Sequence, residues 1–227
     1  MRTLKQVVSC LAAVIVALTA GSAPVNADII DGDFATANLS LTSTSQEGAT
    51  AATDGWTATA VGWSGAPAEV ATVTGGAPGG ANYVHIEADS PNTGVGCYSM
   101  LVSQYFSASA GDTVSIVYRS TGTGFNGEYY IDAQVWDPMG TGNYNFFLPG
   151  TGGAWTSASI PISWSSSTDE VRLIAWTEWS EGTASFDVAN VQYHPGAATP
   201  EPSTFVLVGI SAVSLLAYAW RKRTRTA

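Results

Sequence analysis

Tyr129-Tyr130-Ile131-Asp132-Ala133-Gln134-Val135-Trp136 is the stretch from which the fold class is read. Successive side chains of a β-strand point to opposite sides, so Tyr129, Ile131, Ala133 and Val135 share an apolar face. Tyr130, Asp132, Gln134 and Trp136 then share the other. Asp137-Pro138 follows at once, and a proline, lacking an amide hydrogen, marks the end of such a run.

The same alternation recurs on both sides of this stretch. Val114, Ile116 and Tyr118 share a face after a turn at Gly111-Asp112. Further strands are predicted over 82–88, 100–107, 144–148, 157–164, 170–178 and 183–193. Between them stand turn signals such as Gly75-Gly76-Ala77-Pro78-Gly79-Gly80, Thr121-Gly122-Thr123-Gly124 and Pro149-Gly150-Thr151-Gly152-Gly153. No window between residues 28 and 196 repeats its apolar residues at helical spacing, and no internal repeat is present. Eight or so short strands in this length predict an all-β domain, a β-sandwich of the jelly-roll kind.

The ends of the chain have a different character. Arg2 and Lys5 precede an apolar stretch from Val7 to Ala20, and Val25-Asn26-Ala27 places small residues where a signal peptidase reads, so residues 1–27 are expected to be a signal peptide. Cys10 precedes most of that stretch, which argues against lipidation there. At the other end, residues 197–227 contain Pro200-Glu201-Pro202, an uncharged run from Thr204 to Trp220, and then Arg221, Lys222, Arg223 and Arg225. As a helix rising 1.5 Å per residue the run reaches roughly 25 Å, just enough for a bilayer core. The four basic residues would hold its end in the cytoplasm, leaving residues 28–196 outside. The two prolines disfavour helix, so the tripeptide is expected to be extended and accessible at the membrane face.

Pro-Glu-Pro, a short apolar helix and an Arg-rich end, in that order and spacing, resemble the PEP-CTERM sorting signal of Gram-negative bacteria that make exopolysaccharide. The resemblance implies recognition at Pro200, Glu201 and Pro202 by an exosortase, a membrane-embedded cysteine protease or transpeptidase. It also implies removal of the helix near that motif and delivery to the outer surface or extracellular matrix. The expected partners are therefore the secretion machinery and signal peptidase, the membrane before processing, the exosortase, and extracellular polysaccharide.

Within the exported segment, Asp31-Gly32-Asp33-Phe34, Asp54-Gly55-Trp56, Ala110-Gly111-Asp112-Thr113-Val114 and Phe186-Asp187-Val188-Ala189-Asn190-Val191 resemble the galactose-binding-like jelly rolls, which include several carbohydrate-binding modules. Those modules often hold a structural calcium between first and last strand, and the resemblance implies Asp33 and Asp187 as candidate ligands. Ala35 stands where the pattern has an acidic residue after the Phe, and turn formation is the competing role for these aspartates. No other cofactor is expected.

Charge is distributed unevenly. Between Asp28 and Thr199 only Arg119 and Arg172 oppose seventeen acidic residues, a net charge of −15. Such a domain repels nucleic acid, and it repels anionic polysaccharide unless divalent cations intervene. Cys97 remains alone once Cys10 is removed, so no internal disulfide forms.

The outward set Tyr130, Asp132, Gln134 and Trp136 combines rings, a carboxylate and an amide suited to stacking on and hydrogen-bonding a pyranose. Trp176 and Glu178, with Arg172, share a face of the strand at 170–178 and complete the candidate glycan site. Exposed rings also serve to pack against a covering layer. Glu178 and Glu181 as a glycosidase pair, or Cys97 with His85 as a nucleophile and base, lack a cleft or a third orienting group. No catalytic residue is assigned. The expected role is that of a surface or matrix structural protein; the alternatives are a carbohydrate-binding module and a glycoside hydrolase.

Overall fold

The computed structural model describes residues 29–62, 67–90, 96–120, 129–140, 142–177 and 182–196, together with Ser211, Ser214 and Leu215, which are helical. The expected signal peptide at 1–27, Pro200, Glu201 and Pro202, Arg221, Lys222, Arg223 and Arg225, and Glu178 lie outside the described residues, as does nearly all of the apolar run 204–220. Among the described residues no helix is long and apolar enough to cross a membrane. The chain divides into two compact units, Met1–Gly196 and Ala197–Ala227.

The first unit is a β-sandwich. Its described strands are β1 (Ser40–Ser43), β2 (Ala49–Thr53), β3 (Trp56–Val61), β4 (Ala68–Val73), β5 (Tyr83–Ser90), β6 (Cys97–Ser103), β7 (Phe106–Ala108), β8 (Thr113–Ser120), β9 (Tyr129–Trp136), β10 (Asn143–Phe147), β11 (Thr156–Pro161), β12 (Ser166–Thr177) and β13 (Gly182–His194). Sheet I has the order β1-β4-β5-β13-β8-β11 and sheet II the order β10-β9-β12-β6-β3-β2, with β7 pairing the start of β12. All these pairings are antiparallel. The chain crosses repeatedly from one sheet to the other, in the jelly-roll manner.

Period-two geometry fixes which side chains fill the space between the sheets. Val84 and Ile86 of β5, Ile116 and Tyr118 of β8, Ile131, Ala133 and Val135 of β9, and Leu173 of β12 are all buried in one core. Each large side chain there contributes about 1.5–3 kcal/mol by leaving water. The predicted stretch 100–107 is instead two strands, because the Gln104 amide donates to the Gly55 carbonyl at 2.7 Å and turns the chain out of the ladder. Strands β1 to β4 have no counterpart in the sequence reading. Their inward positions include Ala58, Ala60 and Ala68, which are buried but too small to write an apolar alternation. In β13 the register against β8 shifts between Val188 and Asn190. That extra residue lets Phe186 and Val188 before it, and Val191 and Tyr193 after it, all face inward.

The opening turn is stitched to the last strand. Gly32 accepts from the Val191 amide at 2.8 Å, and a Cβ at Gly32 would lie 2.0 Å from the Val191 carbonyl oxygen. Asp31 and Phe34 adopt positive φ, 50° and 56°, a conformation that costs about 1 kcal/mol or more for residues with side chains. It seats the Phe34 ring in the core, 5.3 Å from that of Trp56, whose indole nitrogen donates to the Asp31 carbonyl at 3.2 Å. Gly32→Ala is therefore expected to lower stability by about 1–3 kcal/mol through overpacking. A urea midpoint of the exported protein equal to that of the wild type would contradict this seam.

Candidate functional site

The outer face of sheet II gathers most of the glycan-site residues expected from sequence. Antiparallel pairing places Trp176 opposite Tyr98 on one side and Tyr130 on the other. In the next row Asp132 lies between Ile174 and Phe147, and in the row after it Gln134 lies between Arg172 and Asn145. Glu170 stands opposite Trp136. Five of the six expected residues thus fall on one contiguous patch built by β9 and β12. Glu178 lies outside the described residues.

Their packing differs from a set of open platforms. The Tyr98 and Trp176 rings are 5.6 Å apart at 18°, and Trp176 and Tyr130 are 5.9 Å apart at 13°. Both faces of Trp176 are thereby covered by tyrosines, and the Phe147 ring meets Tyr130 edge-on at 5.6 Å. Arg172 places its guanidinium 4.5 Å from the Trp136 ring centre and pairs with Glu170 at 2.5 Å. The rings form a ladder that presents edges and hydroxyls. Asp132 is only 1% exposed and Gln134 9%, and the Gln134 amide donates to Asp132 Oδ2 at 2.8 Å. These two polar groups are therefore closed off from solvent and bonded to each other. Burial pushes the Asp132 carboxyl above its usual range, opposed by the Gln134 bond and by nearby main-chain amides. Among the described residues, Asp132 Oδ1 and the Trp176 indole nitrogen are buried without a hydrogen-bond partner.

Sheet I carries a second cluster on its outer face, one that sequence reasoning did not assemble. Asp187 of β13 sits opposite His85 of β5 on one side and Arg119 of β8 on the other. One carboxylate oxygen meets His85 Nδ1 at 2.7 Å and the other accepts from Arg119 Nε at 2.6 Å. The Arg119 guanidinium also lies 5.0 Å from the Tyr83 ring centre and 4.7 Å from that of Trp155. The Trp155 indole nitrogen donates to the Gly76 carbonyl at 3.3 Å. The signal was available in the scarcity of basic residues, since each of the domain's two arginines is clamped between an acid and an aromatic ring.

This arrangement gives Asp187 two cationic neighbours, which is how an ion pair is built and unlike a calcium ligand. Asp33 is exposed on the opening turn, where its Oδ1 accepts from the Ala35 amide at 3.3 Å. Among the described residues no group of three or more His, Cys, Asp or Glu side chains could hold a metal ion. Cys97 is buried. Asp112 serves the fold as well, accepting from the Ser109 amide at 2.6 Å, the Gly196 amide at 2.7 Å and the Tyr193 hydroxyl. A cleft of about 390 Å³ lies where β10 and β11 approach, lined by Tyr118, Phe146, Pro149, Thr151 and Trp155 among others.

Residues 198–223 match the PEP-CTERM protein-sorting motif. No curated protein sequence matches the chain. Among solved structures, the chain is similar to a carbohydrate-binding module of the β-sandwich superfamily, with TM-score 0.43 and 12% identity, covering 61% of this chain and 56% of that one. It is also similar to the family 11 carbohydrate-binding module of Clostridium thermocellum in complex with a β-1,3-1,4-mixed-linked tetrasaccharide, with TM-score 0.40, 14% identity, and 78% and 100% coverage. A third is a glycoside hydrolase family 43 arabinoxylan arabinofuranohydrolase from Bacillus subtilis in complex with cellotetraose, with TM-score 0.38, 17% identity, and 60% and 25% coverage. The chain spans about half the length of the first of these structures.

The ion pair makes stability depend on pH. The Asp187 hydrogen bond, followed by that of Glu87, raises the His85 pKa from 6.5 to about 9, so folding favours the charged ring. That contribution is complete below pH 6.5 and is lost as pH rises through about 9. The urea midpoint of the wild type should fall across this window, and that of Asp187→Asn should fall less. Parallel pH profiles for the two proteins would contradict the assignment.

Proposed function

We propose that this is an exported protein whose C-terminal segment is handled by an exosortase, and whose sandwich serves as a structural, non-catalytic component of the cell surface or exopolysaccharide matrix. The observation that carries the reading is the PEP-CTERM motif at 198–223. In it Pro200-Glu201-Pro202 stands directly ahead of an uncharged apolar run and a basic end. The apolar run acts as a temporary hold in the inner membrane of a Gram-negative-type bacterium, the basic residues fix its direction, and the proline-flanked acid presents an extended strand to the processing enzyme. Signal peptidase acts at the other end, after Ala27. The uses of the sandwich's acids support a non-catalytic role. Asp112 fastens backbone turns, Asp169 accepts from the Trp164 indole at 2.8 Å, and Glu170 and Asp187 hold arginines. Replacing Pro200, Glu201 and Pro202 together by alanine should move the protein from the cell-surface fraction to the inner-membrane fraction. Unchanged surface delivery of this variant would overturn the reading.

A second reading, favoured by the ring ladder on sheet II, is that this face binds a neutral glycan. Ring edges with tyrosine hydroxyls suit a flat polar ligand. The unpartnered Asp132 Oδ1 and Trp176 indole nitrogen are an acceptor and a donor that a sugar hydroxyl would satisfy once a ring moves aside. Arg172 is neutralised by Glu170, so the patch offers no free cation to an acidic sugar. Removing one ring, as in Tyr130→Ala or Trp136→Ala, should weaken retention on a neutral polysaccharide by about two- to tenfold, the range of a single aromatic contact. Undiminished binding to every tested glycan by a Trp136→Ala, Trp176→Ala double variant would sink this second reading.

A further inference from the structure

Among the described strands, β10 ends sheet II and pairs with β9 alone. The Leu148 amide donates to the Ile131 carbonyl at 3.0 Å, and the Asp137 amide to the Gly142 carbonyl at 2.9 Å. Bonded pairs alternate along an antiparallel ladder, so Tyr144 and Phe146 spend their main-chain groups on β9, and Asn143 and Asn145 direct theirs away from the sheet. An edge of this sort is a template for another strand, and proteins usually blunt it with a charge, a proline, a bulge or a covering segment. β10 has no charge and no proline, and its register against β9 is unbroken. Four of its five residues are exposed, including Tyr144 at 37% and Phe147 at 46%, and Met139 just before it is 78% exposed.

Charge makes this edge the place where two copies can meet. The domain carries a net −15, yet no charged residue occurs between Asp137 and Asp169, a stretch that includes β10. Two copies repel one another over most of their surfaces and less along this flank. β11 shares the neutral stretch, but it ends in Pro161. We propose that β10 is a self-association edge, at which two copies of the chain pair their β10 strands antiparallel about Asn145 and join their second sheets into one. Identical strands paired antiparallel generate a closed twofold dimer. Asn145 then faces its own copy and Asn143 faces Phe147 on one side of the joined sheet, and on the other the aromatic Tyr144 and Phe146 face each other. The contact is small and therefore weak in dilute solution, and it gains from the high local concentration of a crowded cell surface. The inference is independent of glycan binding and of how the tail is processed.

The test is sedimentation equilibrium of the exported protein across a concentration series reaching about 1 mM, a range that captures weak association. Asn145→Pro removes an outward amide that β9 does not use, and a proline is tolerated at such an edge position. Asn145→Lys places two like charges at the twofold axis. The wild type should show a monomer–dimer equilibrium, and each variant should weaken it at least about tenfold without lowering the thermal midpoint. Ser159→Lys, at an exposed position of β11, should leave it unchanged. A wild type that stays monomeric throughout, or dimers that persist in both Asn145 variants, or dimers lost equally on Ser159→Lys, would each overturn the proposal.

Discussion

The register between β9 and β12 is the constraint on which the rest of the sandwich depends. Each residue of Glu170–Thr177 is matched in order with one of Trp136–Tyr129. A slip by a single residue would send Ile131, Ala133, Val135, Leu173 and Ala175 out to the surface and drive Tyr130, Trp136, Arg172 and Trp176 into the core. The apolar burial of five inward side chains resists that slip. The Tyr98-Trp176-Tyr130 ladder resists it from the other side, since cross-strand aromatic pairs add about 0.5–1.5 kcal/mol each beyond their burial. One register therefore fixes both the core and the chemistry of the outer surface.

Electrostatics follow the same division of faces. A domain so acidic remains soluble and resists aggregation by self-repulsion, at some cost to compactness. The two arginines offset that cost locally, one on each outer face, and each holds an aromatic ring and an acid in place. Because these cations are already engaged, neither face attracts anionic ligands strongly. A neutral surface with aromatic edges on sheet II and an uncharged flank at β10 are what remain for contacts with other molecules.

The sequence made the all-β class and the inward faces of β5, β8 and β9 legible, because large β-branched and aromatic residues alternate there. It also identified Tyr130, Asp132, Gln134, Trp136 and Trp176 as outward-facing, and pairing then brought them together. Depth was not legible. Alternation assigns a side chain to a face, but whether neighbouring rings close over it depends on which strands lie alongside, so Asp132 and Gln134 turn out buried. Strands β1 to β4 were invisible because alanine, serine and threonine fill most of their positions. The pairing of Asp187 with His85 and Arg119 joins residues far apart in the chain, and no local pattern encodes it.

In the proposed reading the acidic sandwich is a delivered product, and both ends of the chain are processing signals. The direct measurement is the intact mass of the protein recovered from the outer surface of the cells that make it. A polypeptide beginning at Asp28 and lacking the apolar run from Thr204 to Trp220 is the predicted result. A surface protein of full-length mass, or an uncut chain soluble in the cytosol, would contradict it.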